Sequence, residues 1–130
     1  MSDRVGADQE LRKVMADFLE MGHVENIMAM VRQEPGLYRF TGDLLRDERF
    51  MVRMGVAVLF EAMVSERPHE VVLAIPSLKP LLVEPTPWIR GEAANILGCI
   101  NTPESLALLA TLRHDPEPQI REIVADYLGA

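Results

Sequence analysis

Apolar residues recur at helical spacing from the start of the chain. Leu11, Val14, Met15, Phe18 and Leu19 fall at i, i+3, i+4, i+7 and i+8, which predicts one apolar stripe on an α-helix. Gly22 is placed to end that helix, because glycine accepts the left-handed conformation that closes many of them. A second helix carries Val24, Ile27, Met28 and Val31, and Pro35-Gly36 stops it. A short third element holds Leu37, Phe40, Leu44 and Leu45. The fourth helix, from about Phe50 to Val64, has the best amphipathic pattern in the chain. Pro68 suits the first turn of the next helix, where a missing N–H costs nothing. Pro76 and Pro80 then interrupt the apolar run VVLAIPSLKPLL and predict a bent or split helix. Helices from Trp88 to Leu97, from about Glu104 to Leu112, and from Gln119 to Leu128 complete the pattern, with a turn at Asn101-Thr102-Pro103. Strand alternation is absent.

The pattern also repeats. Pro85, Pro87, Ile89, Arg90, Ala94, Leu97 and Gly98 superimpose on Pro116, Pro118, Ile120, Arg121, Ala125, Leu128 and Gly129. A fainter copy upstream supplies Val52, Arg53, Ala57, Leu59 and Phe60. Self-similarity at a period of roughly 20–50 residues is the signature of stacked repeats. In each copy an acidic residue precedes the arginine by the same interval: Asp47 and Arg53, Glu84 and Arg90, Asp115 and Arg121. That puts the carboxylate in the turn and the arginine in the first turn of the following helix. The recurrence favours a structural pairing, each arginine with its own carboxylate, over an anion-binding row.

The repeat unit resembles the HEAT repeat, and most closely the short bacterial form found in phycobilisome-lyase-type proteins. The residues that carry the resemblance are Asp115-Pro116-Glu117-Pro118-Gln119-Ile120-Arg121 with Ala125, Leu128 and Gly129. The copy before it has Glu84-Pro85-Thr86-Pro87-Trp88-Ile89-Arg90 with Ala93, Ala94, Leu97 and Gly98. The earliest copy keeps Asp47, Val52, Arg53 and Ala57 but lacks the prolines and the closing glycine. The resemblance implies an all-α, right-handed α-solenoid of antiparallel helix pairs forming a single domain. Residues 37–66, 68–98 and 103–129 would be the repeats, and residues 1–36 an N-terminal helical cap. It also implies an arginine ladder along the stack, and the family's usual role as a non-catalytic adaptor or scaffold that binds another protein.

Composition narrows the function. A formal net charge of −7 argues against nonspecific binding to nucleic acid or to anionic membranes. That charge, with Glu92, Glu122 and Asp126 on the expected face, also argues against the HEAT-like DNA glycosylases. The polar start, MSDRVGADQE, does not read as a signal peptide, and no apolar run reaches the roughly 20 residues that span a bilayer. With one cysteine no internal disulfide forms, so a cytoplasmic protein is the default. His23, His69 and His114 are far apart, and no Cys-x-x-Cys or His-x-x-x-His spacing points to a metal. No glycine-rich phosphate loop and no nucleophile elbow occurs. No cofactor and no catalytic residue is therefore expected. Cys99 reads as a small residue packed in a turn after Leu97-Gly98.

Two surfaces remain as candidates for binding. Met51, Met54 and Val58 lie off the core stripe of the fourth helix, and Trp88, Glu92 and Asn95 fall at matching positions of the next second helix; Gln119, Ile123 and Asp126 follow on the last. In helical-repeat solenoids the second helices usually line the concave side. An apolar row there would be a recognition patch, with adaptable methionines and a tryptophan anchor. The competing readings are that the N-terminal helices cover this face, that Trp88 packs on its own kinked helix, or that the fourth helix is apolar all round because it is central. The second surface is the C-terminal edge, where Leu106, Leu109, Leu112, Ile120, Val124 and Leu128 have one neighbouring repeat to bury them. It could form a homodimer or dock a partner, unless the last pair covers the stack with Glu104, Arg113, Glu117, Glu122 and Asp126 outward. The alternative to a binding module is an accessory subunit of a chromophore-lyase-type enzyme, although no chromophore-handling motif is present.

Overall fold

The computed structural model describes residues 2–129, and among these it is all-helical with no strand. Helix α1 spans Ser2–Glu20, α2 Val24–Gln33, α3 Thr41–Leu45 and α4 Phe50–Glu66. Next come α5 at Pro68–Val71, α6 at Ile75–Leu78, α7 at Pro87–Ile100, α8 at Pro103–Ala110 and α9 at Pro118–Leu128. Short 3-10 turns at Pro35–Phe40, Val72–Ala74 and Lys79–Val83 join them. No helix among the described residues is long and apolar enough to cross a membrane.

Local chemistry explains most boundaries. Gly22 has φ +84, so the chain turns there without a Cβ penalty. Asn101 closes α7 in the left-handed region at φ 56, which its short polar side chain tolerates. Thr102 and Ser105 form a reciprocal capping box at the start of α8, with Pro103 in its first turn. Between Pro68 and Val83 each proline sits in the first turn of a new short helical piece. The segment is split, as its prolines predict.

Four helices, α1, α4, α7 and α9, form a row in which each packs on the next. Of the remaining elements, α2, α3 and α5 pack on α4, and the Lys79–Val83 turn and α8 pack on α7. The core fills the space between. Val52, Val56, Leu59, Phe60 and Met63 of α4 are fully or almost fully buried, as are Ile89, Ala93, Ala94, Ile96 and Leu97 of α7. Each large side chain so buried contributes roughly 1.5–3 kcal/mol before entropy is counted. Tyr38 packs edge-on against Phe60, with ring centroids 5.6 Å apart.

Several expectations change. Val14 is 43% exposed, and Ala16 joins the expected Met15 and Leu19 as the buried residues of α1. The fourth helix is not the clean amphipath its pattern suggested, because its outer side still shows Phe50, Met51, Met54 and Val58. Gly98 does not close α7, which runs on to Ile100. A Cβ at Gly98 would overlap the Tyr127 ring, so this glycine permits close approach of α9. Cys99 accordingly lies inside a helix, half-buried, and not in a turn. Burial pushes its thiol pKa up, and Glu61 adds to the effect, which keeps it protonated and slow to react. At the C-terminal edge Leu109, Leu112, Ile120 and Val124 are buried, with Leu106 and Leu128 partly so. Glu104, Arg113, Glu122 and Asp126 are exposed, so the last pair covers the apolar residues in the way the alternative reading described.

The arginine pairing is real but differs in kind. Each repeated arginine donates from Nη1 to the backbone carbonyl of the acidic residue, not to its carboxylate: Arg53 to Asp47 at 2.8 Å, Arg90 to Glu84 at 2.7 Å and Arg121 to Asp115 at 2.6 Å. The freed carboxylates do other work. Asp47 and Asp115 accept from the N–H two residues on, both at 2.9 Å, which fixes the turn. Asp115 also receives Arg90 of the preceding copy as a fork, at 2.9 and 3.0 Å. Glu84 receives Arg46 of the copy before it, at 3.0 and 2.8 Å. Arg49 ties Asp47 to Asp17 and Glu20 of α1. Ionic links thus tie each turn to the element before it, but only Arg90 to Asp115 is a repeated arginine shifted by one copy.

Candidate functional site

Of the three repeated arginines only Arg90 also forks onto a carboxylate; Arg53 and Arg121 bond the backbone carbonyl alone. Arg46 takes the carboxylate of Glu84. The Arg53 guanidinium lies 4.3 Å from the centroid of the Trp88 ring and 5.7 Å from that of Phe50. Such stacking contributes about 0.5–2 kcal/mol, more as water is excluded. The Arg53 Nε is buried without a hydrogen-bond partner and stands 3.6 Å from Glu92 Oε2, longer than a hydrogen bond. Arg53 therefore fixes Trp88 on the α4 side and leaves the α9 side of the tryptophan to the surface.

The six residues expected at the site fall in two neighbouring depressions. Met51, Met54 and Val58 border an apolar hollow of about 110 Å³ with Leu19, Gly22, Val24 and Gly55. Trp88, Glu92 and Asn95 line a groove of about 490 Å³ between α7 and α9, with Pro87, Gly91, Glu117, Gln119, Ile120 and Ile123 opposite or beside them. The N-terminal helices do not cover this surface: Met51, Met54, Val58 and Trp88 are 46%, 43%, 43% and 39% exposed. Helix α1 packs beside α4 and extends the row, so Leu19 becomes a wall of the hollow and not its roof. A Cβ at Gly55 would press on Leu19, so the hollow's floor depends on glycine there.

Asn95 is partly engaged, its Oδ1 accepting from the Tyr127 hydroxyl at 3.0 Å. Sequence reasoning missed Arg53 and Tyr127 as parts of this surface. Arg53 was assigned to the ladder by its motif; that bond to Asp47 is made, but its guanidinium also stacks on Trp88, which the motif does not show. Tyr127 matches Ile96 of the preceding copy, a core position, and gives no signal that it reaches across to α7. Of the α9 residues, Gln119 and Ile123 line the groove, while Asp126 is exposed without lining it.

Glu92 is the electrostatically costly member. Burial pushes its carboxyl above the ordinary 4.5, and Arg53 offsets only part of this. A raised carboxyl pKa means that the folded state holds its proton longer than the unfolded chain does. Stability then falls as pH rises through the window just above 4.5. Glu92→Gln is expected to raise the thermal unfolding midpoint at pH 7 and to leave it nearly unchanged at pH 4. The gain should stay below about 1 kcal/mol, because a third of the side chain remains in water. Scanning calorimetry at the two pH values checks this; a lower midpoint at pH 7 would mean that the Arg53 attraction outweighs the desolvation.

Among the described residues no three His, Cys, Asp or Glu side chains converge as a metal site. What the surface offers is contact: apolar side chains, a held tryptophan and two carboxylates. Comparison with protein-family models, with characterised proteins and with solved structures finds no match to this chain.

Proposed function

We propose that this chain is a HEAT-like solenoid module that binds another protein through the exposed side of α4, α7 and α9, without chemistry of its own. The row α1–α4–α7–α9, with the remaining elements packed on α4 and α7, supports the solenoid reading, as do the three turns of matching design. One observation carries the binding reading. Met51, Met54, Val58 and Trp88 stay about two-fifths or more exposed on adjacent helices, although a folded chain of this size has core enough to bury them. Contiguous exposed apolar side chains rimmed by polar ones mark interaction surfaces. Methionine adapts to a partner's shape, and tryptophan dominates binding hot spots.

A photo-reactive amino acid at Val58 tests this in the native cell, with the same group at Glu104 as control. The expected result is one protein cross-linked from Val58 and not from Glu104, with the yield falling at least about tenfold when Trp88→Ala is added. Circular dichroism should show the helices intact in that variant. Equal labelling from both positions, or no effect of Trp88→Ala, would refute the assignment of the face.

A further inference from the structure

The charged residues that line the two depressions of this face are all acidic. The groove beside Trp88 is lined by Glu92 and Glu117 and by no lysine or arginine. The hollow at Met51, Met54 and Val58 is lined by no charged residue at all. The nearest cation, Arg53, is already committed to the Asp47 carbonyl and to the Trp88 ring. It stays beyond hydrogen-bond reach of Glu92, whose carboxylate is left poorly solvated and incompletely compensated. The whole chain adds a field of the same sign, with a formal net charge of −7.

We propose that the occupant of this face is a basic, apolar-flanked segment of a partner protein. A lysine or arginine of the segment lies over Trp88 and Ile123 with its head at Glu92 and Glu117, and a neighbouring apolar side chain fills the hollow at Met51, Met54 and Val58. The parts suit each other chemically. A long basic side chain covers apolar surface with its stem while its head stays with polar groups. Cation-to-carboxylate hydrogen bonds are stronger than neutral ones. Helices α4 and α7 pack side by side, at an axis spacing of roughly 8–10 Å, which three extended residues of a partner span. An acidic segment or a nucleic acid would meet like charge here, and a second copy of this chain would be repelled at long range. The inference rests on the reading of this face as a docking surface.

Selection of a displayed random-peptide library on the full chain, with counter-selection on the Trp88→Ala variant, tests it. The enriched peptides should carry lysine or arginine beside leucine, isoleucine, phenylalanine or methionine. A synthesised member should change Trp88 fluorescence saturably and bind about tenfold more weakly to the folded Glu92→Gln/Glu117→Gln variant, with affinity falling as salt rises. Enrichment of acidic or uncharged peptides, unaffected by that double substitution, would overturn the charge assignment and leave the docking face standing. No enriched peptide sensitive to Trp88→Ala would overturn both. Light scattering that showed a dimer split by Met54→Ser would replace the partner protein with a second copy of the chain.

Discussion

Alanine at Gly42 is expected to destabilise the fold by about 3 kcal/mol, at the upper end of what overpacking usually costs. Gly42 lies in α3 where it meets α6, and a Cβ there would overlap the carbonyl oxygen of Ser77. The obstacle is backbone, so no rotamer change relieves it; the two helices must part. Their parting would also stretch the bond from the Gly42 N–H to Ser77 Oγ, now 3.0 Å. Denaturant unfolding should show the transition midpoint falling with its slope unchanged. The same loss should persist in a Ser77→Gly background, because the colliding atom belongs to the main chain. Full rescue by Ser77→Gly would show that the contact is made by the side chain instead.

Removing the Asp115 carboxylate is expected to cost about 3 kcal/mol. Arg90 and Asp115 side chains are 11% and 4% exposed and meet as a fork. Breaking a buried pair by deleting one partner typically costs 3–5 kcal/mol, since the other charge is left uncompensated. The low end applies here, because Arg90 keeps its bonds to the carbonyls of Glu84 and Pro85. Asp115→Ala also removes the acceptor for the Glu117 N–H. Asp115→Asn can retain that turn bond and should cost less. The pH dependence has a definite sign. The Arg90 fork, helped by the Glu117 N–H, holds the Asp115 carboxyl below its ordinary 3.8. A depressed carboxyl contributes stability that is complete above that ordinary value and is lost as pH falls through the depressed one. The gap between wild type and Asp115→Ala should therefore be constant from about pH 5 upward and narrow below about 3.8. A gap that instead widened in acid would contradict the pairing.

These two predictions concern parts of the chain that the sequence showed unequally well. Helix positions were legible because apolar spacing and proline placement act locally. The split between Pro68 and Val83 followed from Pro76 and Pro80, and the turn between α7 and α8 from Asn101-Thr102-Pro103. Gly42 gave no signal, since its importance comes from a helix far along the chain. The ladder was half legible. The repeated interval from acid to arginine fixed which residues meet, because the turn holds them together. It did not fix which oxygen accepts, and the carboxylates of Glu84 and Asp115 proved to serve the preceding copy. Arg46 was invisible for the same reason: it repeats no motif, yet it takes the Glu84 carboxylate, while Arg53 lies over Trp88. The exposure of Met51, Met54 and Val58 could not be read from α4 alone, whose apolar residues surround it. Only the position of α1, beside α4 and not over it, decides that.

Quenching of tryptophan fluorescence by acrylamide, in the free protein, tests the central claim most directly. Trp88 is the single tryptophan, so the signal has one source. An open face predicts saturation-free quenching at a substantial fraction of the rate for free indole, in a monomer with intact helical dichroism. A blue-shifted, nearly unquenchable emission would mean that Trp88 is enclosed, and the face could not then receive a partner.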